Sequence, residues 1–249
     1  MLEKYLLKAQ EKTSFLQIFI ITFLLTLILG LANYFLGNNS LLYVALVSLA
    51  ISYPIVRYLH RRQREELEHH FSNNSIIFRE EREILMLWVL FIAMTIGFYI
   101  IFSLLPPGDH IYHQEFTSPI GGNFLELENT FLIVLFNNIQ VGLVTFVLSF
   151  LFFSGFVLVI VWNSSIFAYY LYQMGSHSMA FVTGFIFISH ALLEIGGYIM
   201  LGIAGCLLSY RISKKLTDKK LKMQFIFQFS LTILIGLTLI VLGAVVESL

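Results

Sequence analysis

The stretch SHALLEIGGYIMLGIAGCLLSYR, Ser189 to Arg211, decides the fold class. It is an apolar run long enough to span a bilayer, because a helix crosses the hydrocarbon core in about 20 residues. Inside it lie one histidine and one carboxylate, and the run ends on an arginine. We therefore interpret it as a membrane-spanning helix that carries ionisable side chains.

His190 and Glu194 are four residues apart, so a helix places them on one face, one turn apart. An ionisable side chain is costly to place in a membrane span and therefore marks a candidate functional site. The pair could instead hydrogen-bond to each other or to a neighbour and lock the bundle. We favour this structural interpretation over chemistry, and the sequence leaves both open.

Glycines follow the carboxylate in the same stretch. Small residues let neighbouring helices approach closely in lipid. We therefore predict that this part of the helix packs against its neighbours through four of them: Gly196, Gly197, Gly202 and Gly205.

The composition is that of a helical membrane protein. Of the 249 residues, 58% are hydrophobic and 12% are charged, whereas a soluble domain is usually about a quarter charged. The net charge of 0 gives no reason to expect a nucleic-acid partner. Cys206 is the single cysteine, which excludes an internal disulfide and a thiolate metal site. We predict no metal and no cofactor.

The apolar runs predict an all-α polytopic membrane protein with about seven transmembrane helices. The lipid bilayer is then its first partner, with membrane proteins and a second copy of the chain as further candidates. We predict two units, an N-terminal helical hairpin with a charged loop over residues 1–83 and a membrane core over 84–249. The predicted spans are residues 14–36, 41–59, 84–105, 130–153, 156–172, 189–210 and 224–246.

Two places suggest broken or re-entrant helices. Residues 136–140, Phe-Asn-Asn-Ile-Gln, put three amide side chains into a span, so they face the bundle or mark a break. Residues 179–188 are apolar but about half the length of a span. They are either a re-entrant piece or the start of one long helix that runs through to Arg211.

The basic residues predict the orientation. All Lys and Arg residues lie within residues 4–12, 57–82 and 211–222. The positive-inside rule makes these segments cytoplasmic. Seven crossings then place the N-terminus inside and the C-terminus outside, in a multi-pass protein of the cell membrane.

Helical rise of about 1.5 Å per residue predicts where the polar side chains lie. Glu194 is about 25 Å and His190 about 31 Å from Arg211, near the outer edge of the core. Asn137 and Asn138 lie about 12 to 14 Å deep from the outer surface. We predict that these four side chains share one polar pocket in the outer half, and we add Asn163, about 12 Å from the inner side, as a fifth functional residue.

Other histidines and carboxylates offer weaker metal-ligand sets. Asp109, His110 and His113 lie in a loop of about 20 residues, a length often associated with function. His60, His69 and His70 lie among arginines in the charged loop. Exposed histidines in such surroundings are more often simply solvated, and we favour that interpretation for them.

The polar residues of the core resemble a known family. An Asn-Asn pair in one span, an Asn in the next, and a His followed four residues later by Glu on a glycine-rich helix are similar to the stage II sporulation protein M family. The resemblance covers residues 83–246. It rests on Asn137-Asn138, Gly155, Asn163-Ser164, His190 to Glu194, Gly202 and Gly205.

The resemblance implies a polytopic membrane subunit of bacteria or archaea. The family's namesake acts like a scaffold that recruits peptidoglycan-degrading enzymes during engulfment, and it is not known as a hydrolase. Members also occur in organisms that form no spores, which implies a general membrane role. We therefore expect a non-enzymatic integral membrane scaffold or assembly subunit.

Two other functions stay open. A small-solute or lipid transporter or channel would also use broken spans with polar residues at membrane depth. An intramembrane metalloenzyme would use His190 and Glu194 as two ligands on one helix face, with His177 or His110 as a third. The sequence contains no His-Glu-x-x-His, no Gly-x-Ser-x-Gly and no phosphate-binding loop to favour an enzyme.

Overall fold

A computed structural model describes the chain as a set of α-helices. It covers residues 15–35, 42–52, 81–105, 130–152, 155–176, 181–213 and 219–248, and within these segments there is no β-strand. The prediction of an all-α polytopic fold is confirmed. The helices are α1 (Phe15–Phe35), α2 (Leu42–Ser52), α3 (Glu81–Leu104), α4 (Thr130–Phe152), α5 (Gly155–Ser176), α6 (Phe181–Ser213) and α7 (Lys219–Glu247).

Six of these helices are long and apolar enough to cross a membrane; the exception is α2. The predicted second span, residues 41–59, is described only over Leu42–Ser52, and its remainder lies outside the described residues. The segments 1–14, 53–80 and 106–129 also lie outside, with the charged loop and the Asp109 loop that they contain.

α6 is one unbroken helix of 33 residues. Residues 181–188 form its first turns, so the structure corresponds to the long-helix alternative rather than to a re-entrant piece. At about 1.5 Å per residue it is about 50 Å long, which exceeds the roughly 30 Å hydrocarbon core. Of its membrane-spanning part, 72% is buried, against 17% in α1, so α6 is a central helix.

α4 is also continuous through the amide-rich run at residues 136–140. Asn138 is buried, Asn137 is partly buried and Gln140 is exposed. The run therefore does not break the helix. One of its amides faces the bundle fully, because a helix turns successive side chains by about 100°.

The helices run in the directions expected of successive crossings. Thr26 of α1 lies against Gly97 of α3, and Gly30 lies against Ile101 one turn further along both helices. α1 and α3 are therefore parallel, as the first and third spans of an alternating bundle must be.

The same test applies to the second half of the chain. α4 and α6 are parallel, since Asn138 meets Glu194 and Ser149 meets Gly205 further along both helices. α7 runs against α6, with Gly243 at Glu194 and Gly236 at Leu201. α5 also runs against α6, with Phe156 at Gly202 and Phe167 at Phe187.

Glycines permit the closest contacts of α6. A Cβ at Gly197 would lie 2.6 Å from Ile240 Cγ1 and 2.9 Å from the Gly236 carbonyl oxygen of α7. A Cβ at Gly202 would lie 2.7 Å from Phe156 Cβ, and one at Gly205 would collide with the Phe146 carbonyl oxygen. Gly196 differs, because a Cβ there would make only ordinary contacts, 3.4 Å from Leu239.

Candidate functional site

α6 carries the two ionisable side chains that the sequence singled out. His190 and Glu194 lie one turn apart on the same helix face. His190 is 9% exposed and Glu194 is partly buried. Along the helix axis, Glu194 lies about 25 Å from Arg211, the basic residue in the last turn of α6.

Asn138 of α4 connects Glu194 to a second residue of α6. Its Nδ2 group donates a hydrogen bond to Glu194 Oε1. Its Oδ1 atom accepts one from the Tyr198 hydroxyl, at 3.1 Å. Asn138 and Tyr198 are 5% and 3% exposed. The amide therefore uses both of its ends inside the bundle, and it fixes the orientation of the Glu194 carboxyl group.

α7 contributes a third ionisable residue, Glu247, at its C-terminal end. One carboxyl oxygen of Glu194 and one of Glu247 lie within 4.8 Å of each other. Two ionised carboxylates this close repel each other, and a proton or a cation between them relieves the repulsion. Gly243 lies one turn before Glu247 and lets α7 approach α6 closely. A Cβ at this position would lie only 2.7 Å from Glu194 Cγ.

The side chains of His190, Glu194 and Glu247 can converge on one point. Each offers one ligand-type atom, and these atoms all lie within 4.8 Å of one another. An imidazole nitrogen and two carboxyl oxygens can share a proton, bind a cation or tie helices together. We call the five residues that meet here the polar cluster: Asn138, His190, Glu194, Tyr198 and Glu247.

Aromatic rings border the polar cluster beside His190. The Phe187 ring lies edge-on to the imidazole, with centroids 5.0 Å apart and planes at 90°. Phe187 in turn stacks on Tyr170 of α5, with centroids 3.4 Å apart. These rings limit the space available to the imidazole on that side.

The sequence-predicted residues divide into two groups. The structure brings Asn138, His190 and Glu194 together. Asn163 donates a hydrogen bond to the Val159 carbonyl oxygen of its own helix, at 2.8 Å. Asn137 is partly buried, and within the described residues no hydrogen bond joins it to the polar cluster.

Two members of the polar cluster were not among the predicted residues. Tyr198 follows Glu194 by four residues, so helical spacing places it on the same face, and this signal was available in the sequence. Glu247 was detectable only as an acidic residue at the end of the last span. The alternative ligands His110 and His177 lie outside the described residues.

The surrounding helices carry no basic residue near the polar cluster. α4 and α5 contain no Lys or Arg. Arg211 of α6 lies about 25 Å away along the axis, and Lys222 of α7 lies about 38 Å from Glu247. Histidine is therefore the only residue with a basic side chain that these four helices place at the two carboxyl groups.

The comparisons with known proteins identify a family. A family model described as Stage II sporulation protein M matches residues 84–249, which is two thirds of the chain. No curated protein and no solved structure matches the chain. All residues of the polar cluster lie inside the matched range. The chain therefore belongs to the stage II sporulation protein M family.

Proposed function

We propose that this integral membrane protein is an assembly subunit that holds partner membrane proteins together and performs no covalent chemistry of its own. The observation that carries the proposal is the use of both ends of the Asn138 amide, which joins α4 to α6. In lipid, polar side chains that hydrogen-bond across helices stabilise their association. The polar cluster then works as a lock that fixes the shape of the bundle.

The outer surface of the bundle suits lipid or partner helices. Large apolar side chains are exposed along α1, α4 and α7, for example Leu16 at 66%, Phe136 at 63% and Leu234 at 62%. These three helices are the least buried of the candidate spans. Partners that pack through transmembrane helices fit such faces, and a second copy of the chain is included among them.

The orientation remains part of the proposal. The distribution of Lys and Arg supports a cytoplasmic N-terminus, with α7 ending at the outer face of the cell membrane. The polar cluster then lies in the outer half of the bilayer. Partners that depend on it would contact the subunit on the extracytoplasmic side.

Capture from native membranes tests the assembly role. The wild type, Glu194→Gln and Leu192→Met are cross-linked in the membrane, solubilised in mild detergent, purified and analysed by mass spectrometry. Leu192 is a matched control, because it lies on the same helix with its side chain 39% exposed. We expect a specific membrane-protein partner with the wild type and Leu192→Met, and its loss with Glu194→Gln. Equal retention in all three would refute the proposal that the polar cluster controls assembly.

A carrier or channel is the second candidate, and the contact between Glu194 and Glu247 favours it. Carboxyl groups inside a membrane protein commonly mark proton and ion pathways. Purified protein in liposomes would then move a proton or a cation, and Glu247→Gln would reduce the flux. Flux equal to that of empty liposomes would exclude this candidate while leaving the assembly role intact.

A further inference from the structure

We propose that His190, Glu194 and Glu247 bind one divalent transition-metal ion, with Zn²⁺ as the best-matched probe. The proposal goes beyond the assembly role, which requires no metal. The geometric basis is the contact between α6 and α7, where each helix contributes two residues that are four positions apart and lie on the contacting face. His190 and Glu194 form one pair, and Gly243 and Glu247 form the other.

The donor atoms are of the types that zinc uses. Zinc sites combine imidazole nitrogens and carboxylate oxygens, and a site with three protein ligands keeps a position for water or another group. First-row ions of similar size accept the same ligands, whereas Mg²⁺ and Ca²⁺ prefer oxygen alone. One histidine with two carboxylates therefore selects a transition metal over the alkaline-earth ions.

The separation of the donor atoms is close to what a metal requires. They lie within 4.8 Å of one another. Ligands about 2.0 to 2.2 Å from a tetrahedral zinc ion are about 3.4 Å apart. Small changes in the side-chain torsion angles, which move the donor atoms by about an ångström, close this difference. The Cα positions can stay where they are, because Gly243 already allows α7 to approach Glu194 closely.

The charges at the site are compatible with a bound cation, because Glu194 and Glu247 are both partly buried carboxyl groups. Two carboxylates lie together in an apolar bundle, and the four helices around them place no Lys or Arg nearby. A buried pair of like charges is unfavourable unless a proton or a cation neutralises it. A divalent ion satisfies both carboxylates at once and uses the imidazole nitrogen as its third ligand.

Asn138 completes the site as a positioning residue rather than a ligand. Its amide nitrogen holds Glu194 Oε1, and the Tyr198 hydroxyl holds the amide oxygen of Asn138. Partners of this kind orient the metal ligands, and their loss typically lowers metal affinity about 10- to 100-fold. With the ion bound, α6 and α7 would be cross-linked next to their contact at Gly243.

Zinc binding by the full-length protein tests the proposal. The chain is purified without a histidine tag, stripped with a chelator and titrated with Zn²⁺ in detergent. We expect one ion per wild-type chain. We expect at least tenfold weaker binding in His190→Ala, Glu194→Gln and Glu247→Gln, and about tenfold weaker binding in Asn138→Ala. Glu247→His keeps a zinc ligand at the helix end and should bind far better than Glu247→Gln.

Controls distinguish this site from the other six histidines of the chain. Replacing all six with alanine (His60, His69, His70, His110, His113 and His177) should leave the affinity unchanged. A hundredfold excess of Zn²⁺ over the Kd should raise the Tm of the wild type by about 5 to 10 °C, and that of Glu247→Gln much less. Wild-type affinity in Glu247→Gln, or no zinc uptake by the stripped protein, would overturn the proposal. Either result leaves the partner-capture experiment unaffected.

Discussion

Asn138 makes two side-chain hydrogen bonds from α4 to α6. It is 5% exposed, it donates to Glu194 and it accepts from Tyr198. A buried amide that loses a partner keeps the cost of its desolvation. The two neighbours of Asn138 are therefore expected to differ in importance. Glu194 also contacts Glu247, whereas the Tyr198 hydroxyl meets only the amide in the described hydrogen bonds.

Tyr198→Phe is predicted to be a mild change. It removes one hydrogen bond, and such bonds between membrane helices contribute about 0.6 kcal/mol on average. For a chain of this length that corresponds to a Tm lower by about 1 to 3 °C in detergent. Tyr99→Phe is the matched control, since the Tyr99 ring is 39% exposed, and it should leave the Tm unchanged. A decrease above about 8 °C for Tyr198→Phe would show that the hydroxyl has another role.

Asn138→Ala is predicted to be the larger change. It removes both hydrogen bonds and leaves Glu194 Oε1 without its amide donor, a cost of about 1 to 3 kcal/mol. Thermal unfolding of the purified protein, followed by circular dichroism, measures the difference. Asn138→Ala should unfold at a lower temperature than Tyr198→Phe. The reverse order would contradict the hydrogen-bond assignment.

At the scale of elements, α6 and α7 approach each other through glycine. Gly197 and Gly236 face each other across the contact, and Gly243 lies beside Glu194. Small residues allow this approach, and dispersion forces over the contact then favour association in lipid. The adjacent glycines Gly196 and Gly197 differ sharply in the space around them, which makes them a natural matched pair.

Gly197→Ala should separate the two helices. Its Cβ would meet backbone atoms of α7, the Gly236 carbonyl oxygen at 2.9 Å and the Ile240 nitrogen at 3.3 Å. Such overpacking typically costs about 1 to 3 kcal/mol. Gly196→Ala should be neutral or slightly stabilising, because its Cβ would lie 3.4 Å from Leu239 and alanine favours helix. Thermal unfolding of both variants measures the difference. An equal decrease in Tm would contradict the close contact of Gly197 with α7.

The sequence predicted the elements more fully than it predicted their pairing. Runs such as residues 84–105 are recognisable because a span needs about 20 apolar residues in a row, which is a local property. Residues 179–188 were ambiguous, since a short apolar run is compatible with a re-entrant piece and with an extension of α6. The length of the run does not distinguish a re-entrant piece from an extension of α6. In the structure α6 is continuous from Phe181 to Ser213, which corresponds to the extension.

For the candidate site too, the sequence predicts residue pairs within one helix but not contacts between helices. His190 and Glu194 share one helix face by their spacing, so local geometry was enough to pair them. Glu247 lies 53 positions after Glu194 in the sequence, and only the packing of α7 against α6 brings them together. Asn163 lies apart from this group: its amide hydrogen-bonds to Val159 in its own helix, and its functional role stays a prediction.

At the scale of the whole molecule, charge and helix direction support the same arrangement. Basic residues occur only in segments predicted to be cytoplasmic, and the relative directions of α1 and α3 and of α4 to α7 agree with alternating crossings. The long helices α1 and α3 to α7 pack into one bundle, in which α6 is the most buried. Its orientation in the membrane is open to direct measurement.

Labelling of single cysteines measures that orientation. In a Cys206→Ala background, Ser248→Cys lies just after α7, and Met223→Cys lies near its start with a side chain that is 65% exposed. A maleimide that does not cross membranes should label Ser248→Cys on intact cells. It should label Met223→Cys only after the cells are permeabilised. The opposite pattern would invert the predicted topology.

The polar contact between Asn138 of α4 and Glu194 of α6 holds the polar cluster together, and a double-mutant cycle measures it. Asn138→Ala and Glu194→Ala are made separately and together, and their stabilities are measured in the same detergent. We predict that the second substitution costs less once the first is present, with an interaction energy of at least about 0.5 kcal/mol. Additive effects of the two substitutions would contradict the claim, because they would mean that Asn138 and Glu194 do not interact.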